Sequence, residues 1–249
     1  MIKISIVSYS NTIPFLYGLN KWHFNNEINI GLDDPSTCAK KLISNEVDIG
    51  LIPVVSIKMI KDPKIISNYC IGADGSVDTV CIYSDIPINE VKNIFIDSDS
   101  ETSVKLLMIL LKEYWKVQPN LIRVKIKNEV LLKKKSTALV IGDKTFSLKD
   151  EYKYVYDLSS IWKKLTGLPF VFALWVTNKN FDNKFLNQFN LALSFGVKNI
   201  QEAIKFFDYK FNYKANLEEY LNNRISYDLD VDKKNSLTYF LEKLRVNGF

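Results

Sequence analysis

The sequence is short of histidine, cysteine and arginine, and each shortage argues against a class of protein. It has one histidine, three cysteines and three arginines among 249 residues. The cysteines, at positions 38, 70 and 81, match neither the spacing of a zinc motif nor that of a disulfide framework. His23 has no nucleophile elbow or oxyanion motif nearby, so we interpret it as a surface or half-buried imidazole. The sequence therefore predicts no Ser-His-Asp triad, no metal and no cofactor.

Long apolar runs and nucleotide-binding motifs are also missing. No run reaches the roughly 18 apolar residues that a membrane span needs, and neither GxGxxG nor GxxxxGK[ST] occurs, which argues against nicotinamide, flavin and nucleoside triphosphates. The net charge of +5 comes from 33 Lys+Arg against 28 Asp+Glu. The densest basic cluster, Lys133 to Lys135, is interpreted as a solvated turn, with nucleic-acid binding as a minor alternative. We expect neither a nucleic-acid nor a membrane partner.

The remaining composition is that of a globular chain with a real core. Apolar residues make up 47% and charged residues 24% of the sequence. The length allows one large domain or two small lobes. Residues 1–7 alternate like a strand and lack the charged, hydrophobic and cleavage regions of a signal peptide. The expectation is a cytoplasmic protein, and the sequence leaves its oligomeric state open.

The opening of the chain predicts an α/β unit. Residues 2–7 are rich in β-branched side chains and predict a buried strand, after which Pro14 begins a helix. Asp34 and Pro35 have the N-cap and N1 signature of a second helix, and residues 47–52 predict a second strand. The predicted order is strand, helix, helix, strand, which favours a parallel sheet.

The rest of the chain predicts a second lobe and a return to the first. Strands are expected at 77–83, 93–96, 138–141 and 170–176, an apolar helix at 104–115, and helices from Asp182 onward. We predict an α/β fold of two lobes with two interlobe crossings, lobe 1 being 1–82 with 174–249 and lobe 2 being 83–173. Such folds bind ligands in a cleft, at strand C-termini and helix N-termini.

Polar loops follow the predicted strands where such a cleft needs them. Ser10, Asn11 and Thr12 follow the first strand, and their side chains suit either helix capping or ligand binding. Ser100 is the predicted N-cap of the apolar helix. There the free amides with the hydroxyls of Thr102 and Ser103 would form an anion pocket, and capping is again the alternative.

Two further segments offer candidate groups with more than one interpretation. Gly142 permits close backbone approach to a ligand, while Asp143 is a base, an orienting group or a helix cap, the last two being favoured over the base. Asp74 and Thr79 lie before and on the crossing strand, where Thr79 is either a ligand contact or a simple β-former.

Aromatic residues of the last strand allow two interpretations as well. Phe170 and Phe172 share one face by alternation and either wall a cyclic ligand or belong to the core, while Trp175 points the other way.

Taken together, these segments resemble the chorismate dehydratases of the futalosine route of menaquinone biosynthesis. The matches run in order along the chain and form a specific set: Ser8 to Leu19, Asp48 to Pro53, Gly75 to Val80, Thr102-Ser103, Ile141 to Asp143, Thr166 to Trp175 and Arg224 to Leu229. The sister enzyme that acts later in the route has a different N-terminal loop. Two positions depart from the family: Thr79 stands where the family commonly has serine, and Ser10 where it is often apolar.

The resemblance implies a periplasmic-binding-protein type II fold used as an enzyme. It implies that dianionic chorismate loses water to give 3-[(1-carboxyvinyl)oxy]benzoate, with Asn11 and Thr79 as catalytic residues. The implied substrate-binding residues are Ser10, Thr12, Asp74, Ser100, Thr102, Ser103, Gly142, Asp143, Phe170 and Phe172.

The proton acceptor and the function class keep alternatives. The family is thought to use the enolpyruvyl carboxylate of the substrate as the base, and the lack of histidine agrees with that. A protein base would have to be Asp143, Asp74 or a neighbour. A non-catalytic cytoplasmic receptor for a small carboxylate is the alternative function.

Overall fold

The computed structural model describes residues 1–24, 27–97, 101–124, 136–148, 151–207 and 216–249. The chain forms two compact units, unit 1 being Met1–Gly72 with Val171–Lys234 and unit 2 being Ala73–Phe170 with Asn235–Phe249. The lobe boundaries predicted after residues 82 and 173 differ from this division, which also assigns the last fifteen residues to unit 2. The lobe boundaries after residues 82 and 173 therefore stay a prediction.

Helices and strands alternate over residues 2–53, after which strands and helices come mostly in runs of the same type. The helices are α1 (Ile13–Lys21), α2 (Pro35–Ile43), α3 (Glu101–Leu110), α4 (Leu158–Thr166), α5 (Asn183–Lys198), α6 (Ile200–Phe207), α7 (Leu217–Asn223) and α8 (Val231–Asn247). The strands are β1 (Ile2–Val7), β2 (Ile28–Asp33), β3 (Ile49–Pro53), β4 (Lys64–Ala73), β5 (Val80–Ser84), β6 (Asn93–Asp97), β7 (Asn120–Val124), β8 (Ala138–Ile141), β9 (Tyr154–Asp157), β10 (Phe170–Thr177) and β11 (Ser226–Asp228).

Unit 1 is built on a six-stranded mixed sheet in the order β11, β4, β10, β3, β1, β2. β1 pairs in parallel with both β2 and β3, whereas β10 runs antiparallel to β3. The predicted opening of strand, helix, helix, strand is wrong, because β2 lies between α1 and α2. β2 is an edge strand without a fully buried residue and contains Gly31, so its hydrophobic signal is weak.

Helices α1 and α5 of unit 1 contact each other backbone to backbone. A Cβ atom added to Gly18 would lie 1.9 Å from the carbonyl oxygen of Ala192, and one added to Gly196 would lie 1.8 Å from that of Pro14. No side chain fits at either point, so the two glycines set the separation of the helices. This contact fixes α1, and with it the polar loop that precedes α1.

The start of α1 is anchored on the core of unit 1 by aromatic contacts. The ring of Phe15 meets those of Trp175 at 5.7 Å and Tyr227 at 5.2 Å between centroids, both edge to face. Trp175 is fully buried and also packs on Phe189 at 5.1 Å. Edge-to-face pairs of this kind stabilise a core beyond their area burial.

Unit 2 is built on a five-stranded sheet in the order β7, β6, β8, β5, β9. β6 is parallel to β7 and β8, and β5 is antiparallel to β8 and β9. The predicted helix at 104–115 is observed as α3 and a π-helical turn, Leu111–Trp115, which ends at Lys116 in the left-handed region. β4, β7, β9, α4 and β11 were not predicted from the sequence.

An aromatic cluster forms part of the core of unit 2. The ring of Phe170 lies 5.5 Å from that of Trp162 and 5.0 Å from that of Phe240, both edge to face. In α8, Leu237, Phe240 and Leu244 are buried on one side of the helix.

The cysteines at positions 38, 70 and 81 are all buried and free. Burial raises the pKa of the Cys38 and Cys70 thiols to about 12, and it raises that of Cys81 as well. Each therefore stays a thiol at neutral pH. Among the described helices, none has the length and apolar character needed to cross a bilayer.

Candidate functional site

The polar loop between β1 and α1 is closed by one of its own side chains. The hydroxyl of Thr12 lies 2.8 Å from the carbonyl oxygens of both Val7 and Tyr9, and the Thr12 amide donates to Tyr9 at 3.0 Å. Ser10 and Thr12 are fully buried. The Thr12 hydroxyl thus donates to backbone carbonyls of its own loop, and this contact holds the backbone of Asn11 in place.

Asn11 itself is held from β11 by a residue whose role the sequence did not reveal. The hydroxyl of Tyr227 donates to the backbone carbonyl of Asn11 at 3.0 Å. Burial raises the pKa of Tyr227 well above its usual value, so the phenol stays protonated and keeps donating. Asn11 is half-buried. Tyr227 belongs to the segment 224–229 that carried part of the resemblance.

In unit 2 the strand directions bring several of the predicted residues to one end of the sheet. Val80 of β5 pairs with Ile141 of β8, and the amide of Gly142 donates to the carbonyl of Thr79 at 2.9 Å. Since β6 and β8 are parallel, Asp97 at the end of β6 lies at the same end of the sheet. α3, with Thr102 and Ser103 in its first turn, follows within a few residues.

Thr79 is 2% exposed and follows a loop in a constrained conformation. Its hydroxyl lies 3.4 Å from the carbonyl oxygen of Val77. The preceding residue, Asp78, has φ of 63°, a left-handed backbone that residues other than glycine rarely adopt. The direction of the Thr79 side chain therefore depends on what holds this loop.

Asp157, at the end of β9, holds the loop and was not singled out from the sequence. Its Oδ2 atom accepts from the amides of Val77 at 2.9 Å and Asp78 at 2.7 Å, and lies 3.0 Å from the hydroxyl of Ser76. Its Oδ1 atom accepts from the Ser160 amide at 2.9 Å and caps α4. Desolvation raises the pKa of Asp157, and these hydrogen bonds oppose that rise. An N-cap pattern, Asp157 before the helical segment 158–166, was the available signal.

The first turn of α3 contains an unsatisfied hydroxyl. Thr102 and Ser103 are each 5% exposed. The Thr102 Oγ1 atom is buried and has no hydrogen-bond partner within the described ranges. Buried polar atoms normally have a partner, so this one is a candidate to bind a ligand. Ser100, predicted as N-cap and ligand contact, lies outside the described residues, as does the Lys133 to Lys135 cluster.

The Gly142-Asp143 turn has the backbone conformation that glycine favours. Gly142 has φ of 69°, and its carbonyl accepts from the Thr145 hydroxyl at 2.8 Å. Asp143 is half-buried. The next residue, Lys144, is paired with the buried carboxylate of Asp97 at 3.6 Å, so one ammonium lies at this end of the sheet. Nothing in the sequence pattern singled out Lys144.

The remaining candidates lie in three different environments. Asp74 is exposed and forms an ion pair with Lys163. Phe170 is 1% exposed within the aromatic core of unit 2, whereas Phe172 is the one residue of β10 that is not fully buried. His23 is exposed, which confirms the prediction of a surface imidazole. Across the described ranges, no three side chains of His, Cys, Asp or Glu cluster to hold a metal ion.

A comparison with known families finds one match that covers nearly the whole chain. The family model described as menaquinone biosynthesis matches residues 2–245. The predicted membership in a menaquinone-biosynthesis family is therefore confirmed.

Solved structures with this fold come from several organisms. The protein AF1704 of Archaeoglobus fulgidus has a TM-score of 0.76 and 16% identity, over 99% of this chain and 97% of that one. The CA3427 product of Candida albicans, described as having the generic periplasmic-binding-protein fold, has a TM-score of 0.66 and 11% identity, covering 98% and 94%. The alkanesulfonate-binding protein SsuA of Xanthomonas axonopodis pv. citri, bound to MOPS, has a TM-score of 0.66 and 11% identity, covering 98% and 91%. The predicted α/β fold of periplasmic-binding-protein type is confirmed.

Proposed function

The chain belongs to the menaquinone-biosynthesis family, and from this premise we propose that it is a chorismate dehydratase. The reaction converts chorismate to 3-[(1-carboxyvinyl)oxy]benzoate and water. The observation that carries the proposal is that Thr79, Gly142 and the end of β6 lie at one end of the unit 2 sheet, with Thr102 in the first turn of the helix that follows β6. These groups suit a small dianion with a hydroxyl that must leave.

The chemistry asks for orientation more than for a strong protein base. The C3–H bond of chorismate breaks, its electrons form the new ring double bond, and the C4–O bond breaks as hydroxide leaves with a proton as water. Aromatisation of the ring supplies the driving force. A catalyst that holds the acceptor beside the C3 proton gains a large effective concentration, about 10⁵ M or more in favourable cases.

We propose a role for the side-chain amide of Asn11 as well. The backbone of Asn11 is fixed by Tyr227 at 3.0 Å and by the loop that Thr12 closes. A neutral amide orients a carboxylate while lowering its basicity less than a charged partner does. Asn11 is therefore proposed to position the substrate for proton removal, with Ser10 and Thr12 supporting its loop.

We propose that hydroxyls and backbone amides of unit 2 bind the carboxylates of the substrate. Thr79 is proposed to hold the enolpyruvyl end. Thr102, Ser103 and the backbone amides that begin α3 are proposed to bind the other carboxylate, since a helix N-terminus favours anions. The unsatisfied Thr102 Oγ1 atom supports this role. Asp74, which is exposed and paired with Lys163, and Phe170, which is buried in the core, carry the least support among the predicted contacts.

The proposed base is the enolpyruvyl carboxylate of the substrate. Lys144, an ammonium at this end of the unit 2 sheet, is paired with Asp97. The negative charge of Asp97 reduces the attraction of Lys144 for a bound anion. Asp143 is the alternative base, because it is half-buried and directly follows the Gly142 that contacts Thr79.

The test is a product assay on the purified full chain. Incubation with chorismate should consume it and give a product lighter by one water, with a new aromatic absorbance. Binding of chorismate in a calorimeter without turnover would instead support a receptor for small carboxylates. If chorismate is neither bound nor consumed, both the dehydratase and the receptor function are rejected.

A further inference from the structure

One buried group in unit 2 has more hydrogen bonds than its local role requires. The carboxylate of Asp157 accepts from three amides, those of Val77, Asp78 and Ser160, and it also lies 3.0 Å from the Ser76 hydroxyl and 3.7 Å from the Cys81 thiol. The donors come from two separate segments of unit 2. Asp157 therefore joins the start of α4 to the loop before β5.

Helix capping alone does not account for this arrangement. At the start of α5 in unit 1, Asp182 performs the same capping role with a single bond, from the Phe185 amide to Oδ1 at 2.7 Å. Asp157 uses Oδ1 in the same way for α4. Its second oxygen, Oδ2, accepts both amides of the 76–78 loop, lies 3.0 Å from the Ser76 hydroxyl and contributes nothing to the cap.

The loop that Oδ2 holds is one that would not keep its conformation unaided. Asp78 has φ of 63°, which costs a residue with a Cβ atom free energy and persists only where the surroundings enforce it. Oδ2 accepts the Asp78 amide at 2.7 Å, and the Ser76 hydroxyl lies 2.6 Å from the carboxylate of Asp78. The residue after Asp78 is Thr79.

We propose that Asp157 is a positioning residue, whose carboxylate fixes the 76–78 backbone and so aims the Thr79 hydroxyl at the substrate. The effect on the reaction rests on the proposed dehydratase function. The effect on the loop does not, so the two can be tested apart.

The kinetic test compares Asp157→Ala with Asp182→Ala in the full chain. Each variant loses one helix cap, but only Asp157→Ala frees the 76–78 loop. We expect Asp157→Ala to lower kcat about 10-fold to 100-fold with KM changed less than about threefold. Asp182→Ala should keep kcat within about twofold. Asp157→Asn, which keeps the volume, provides the same comparison where Asp157→Ala folds poorly.

A double variant separates positioning from a general loss of structure. If Asp157 acts through Thr79, adding Asp157→Ala to Thr79→Val should lower kcat by less than about twofold further. The proposal is overturned if the kcat losses of the two single variants multiply in the double variant. It is also overturned if Asp157→Ala and Asp182→Ala have equal kcat values.

A measurement on the free protein is independent of any assigned substrate. Amide hydrogen exchange at Val77 and Asp78 should be about tenfold faster in Asp157→Asn than in Asp182→Ala, and the Thr79 methyl resonance should shift. Unchanged exchange and an unchanged methyl signal would reject the positioning role even if chorismate turnover is found. Absence of turnover in the wild type, with faster exchange in the variant, would reject only the dehydratase function.

Discussion

The amide of Gly142 donates to the carbonyl of Thr79 across 2.9 Å, just beyond the last paired residues of β8 and β5. Two segments that are about sixty residues apart in the sequence thereby share one backbone contact. Any change in the turn at Gly142 is transmitted to Thr79 without an intervening side chain.

Gly142→Ala should therefore affect turnover as well as stability. An alanine at φ of 69° costs about 1–2 kcal/mol, and relief of that strain would move the amide away from Thr79. We expect kcat to fall about tenfold or more. Gly167→Ala is the matched control, because Gly167 has φ of 76° at the end of α4 with nothing within 4 Å of an added Cβ. It should lose similar stability in urea unfolding and keep its kcat.

Asn11→Ala and Asp143→Asn discriminate between the two proton acceptors. Under substrate assistance, Asn11→Ala should lower kcat far more than it weakens chorismate binding, while Asp143→Asn should cost only a few-fold. If Asp143 is the base instead, the kcat of Asp143→Asn should fall by about 10²-fold or more. Steady-state kinetics with calorimetric binding gives both numbers. A kcat unchanged in Asn11→Ala would show that this amide has a different role.

Tyr227→Phe tests the support of the Asn11 loop. The change removes the hydroxyl that donates to the Asn11 carbonyl at 3.0 Å and leaves the ring contact with Phe15. Losing one such bond should cost about 1 kcal/mol of unfolding free energy and lower kcat a few-fold. Tyr17→Phe, on α1 where the Tyr17 ring stacks on Phe195, is the control and should change neither. An unaffected kcat in Tyr227→Phe would show that Asn11 needs no such support.

Gly196→Ala decides between helix propensity and packing. Alanine is the better helix former by about 1 kcal/mol, yet its Cβ would lie 1.8 Å from the Pro14 carbonyl oxygen. Since α1 and α5 must then separate, we expect a net loss of about 2 kcal/mol or more in urea unfolding. Gly31→Ala, whose Cβ would meet its nearest atom at 3.6 Å, should be close to neutral. A gain in stability for Gly196→Ala would contradict the close helix contact.

The Asp33 carboxylate should make part of the stability of unit 1 sensitive to acid. Desolvation would raise its pKa, but hydrogen bonds from Lys41 at 2.7 Å and Ser5 at 2.7 Å outweigh it, and the pKa of Asp33 is lowered below 3.8. A carboxylate with a lowered folded pKa stabilises above its unfolded pKa, about 4, and that contribution disappears as the pH falls through the folded value.

Urea midpoints from about pH 7 to about pH 3 measure this contribution. The difference between wild type and Asp33→Asn should be constant above about pH 5 and shrink below it. Asp34→Asn is the neighbouring control, because the Asp34 carboxylate is exposed and makes no cap hydrogen bond. A difference for Asp33→Asn that stays constant down to pH 3 would contradict the lowered pKa.

The parts of the fold that were predictable are those with a local signal. Residues 2–7 and 170–176 are rich in β-branched and aromatic residues, and Asp34-Pro35 marks a helix start, so these elements are observed at or near the predicted positions. β2 was missed because it is an edge strand without a fully buried residue, and β11 because it has only three residues, so each is placed by its partner strand rather than by its own pattern. Strand pairing is a long-range property that periodicity does not reveal.

The candidate site shows the same division. The loops around Asn11, Thr102 and Gly142 were found because polar and small residues directly follow apolar strands. Asp157 and Tyr227 act through backbone groups of segments 79 and 216 residues away in the sequence. Their side chains resemble an ordinary helix cap and an ordinary strand aromatic, so only the folded structure identifies what they hold.

The three buried thiols allow the unfolding of each unit to be followed separately. A thiol-specific dye reacts with thiolate, and burial both hides these sulfur atoms and keeps them protonated. Labelling at Cys38 or Cys70 would report the opening of unit 1, while labelling at Cys81 would report that of unit 2. The order in which the three thiols react with the dye under mild denaturation would show which of the two units opens first.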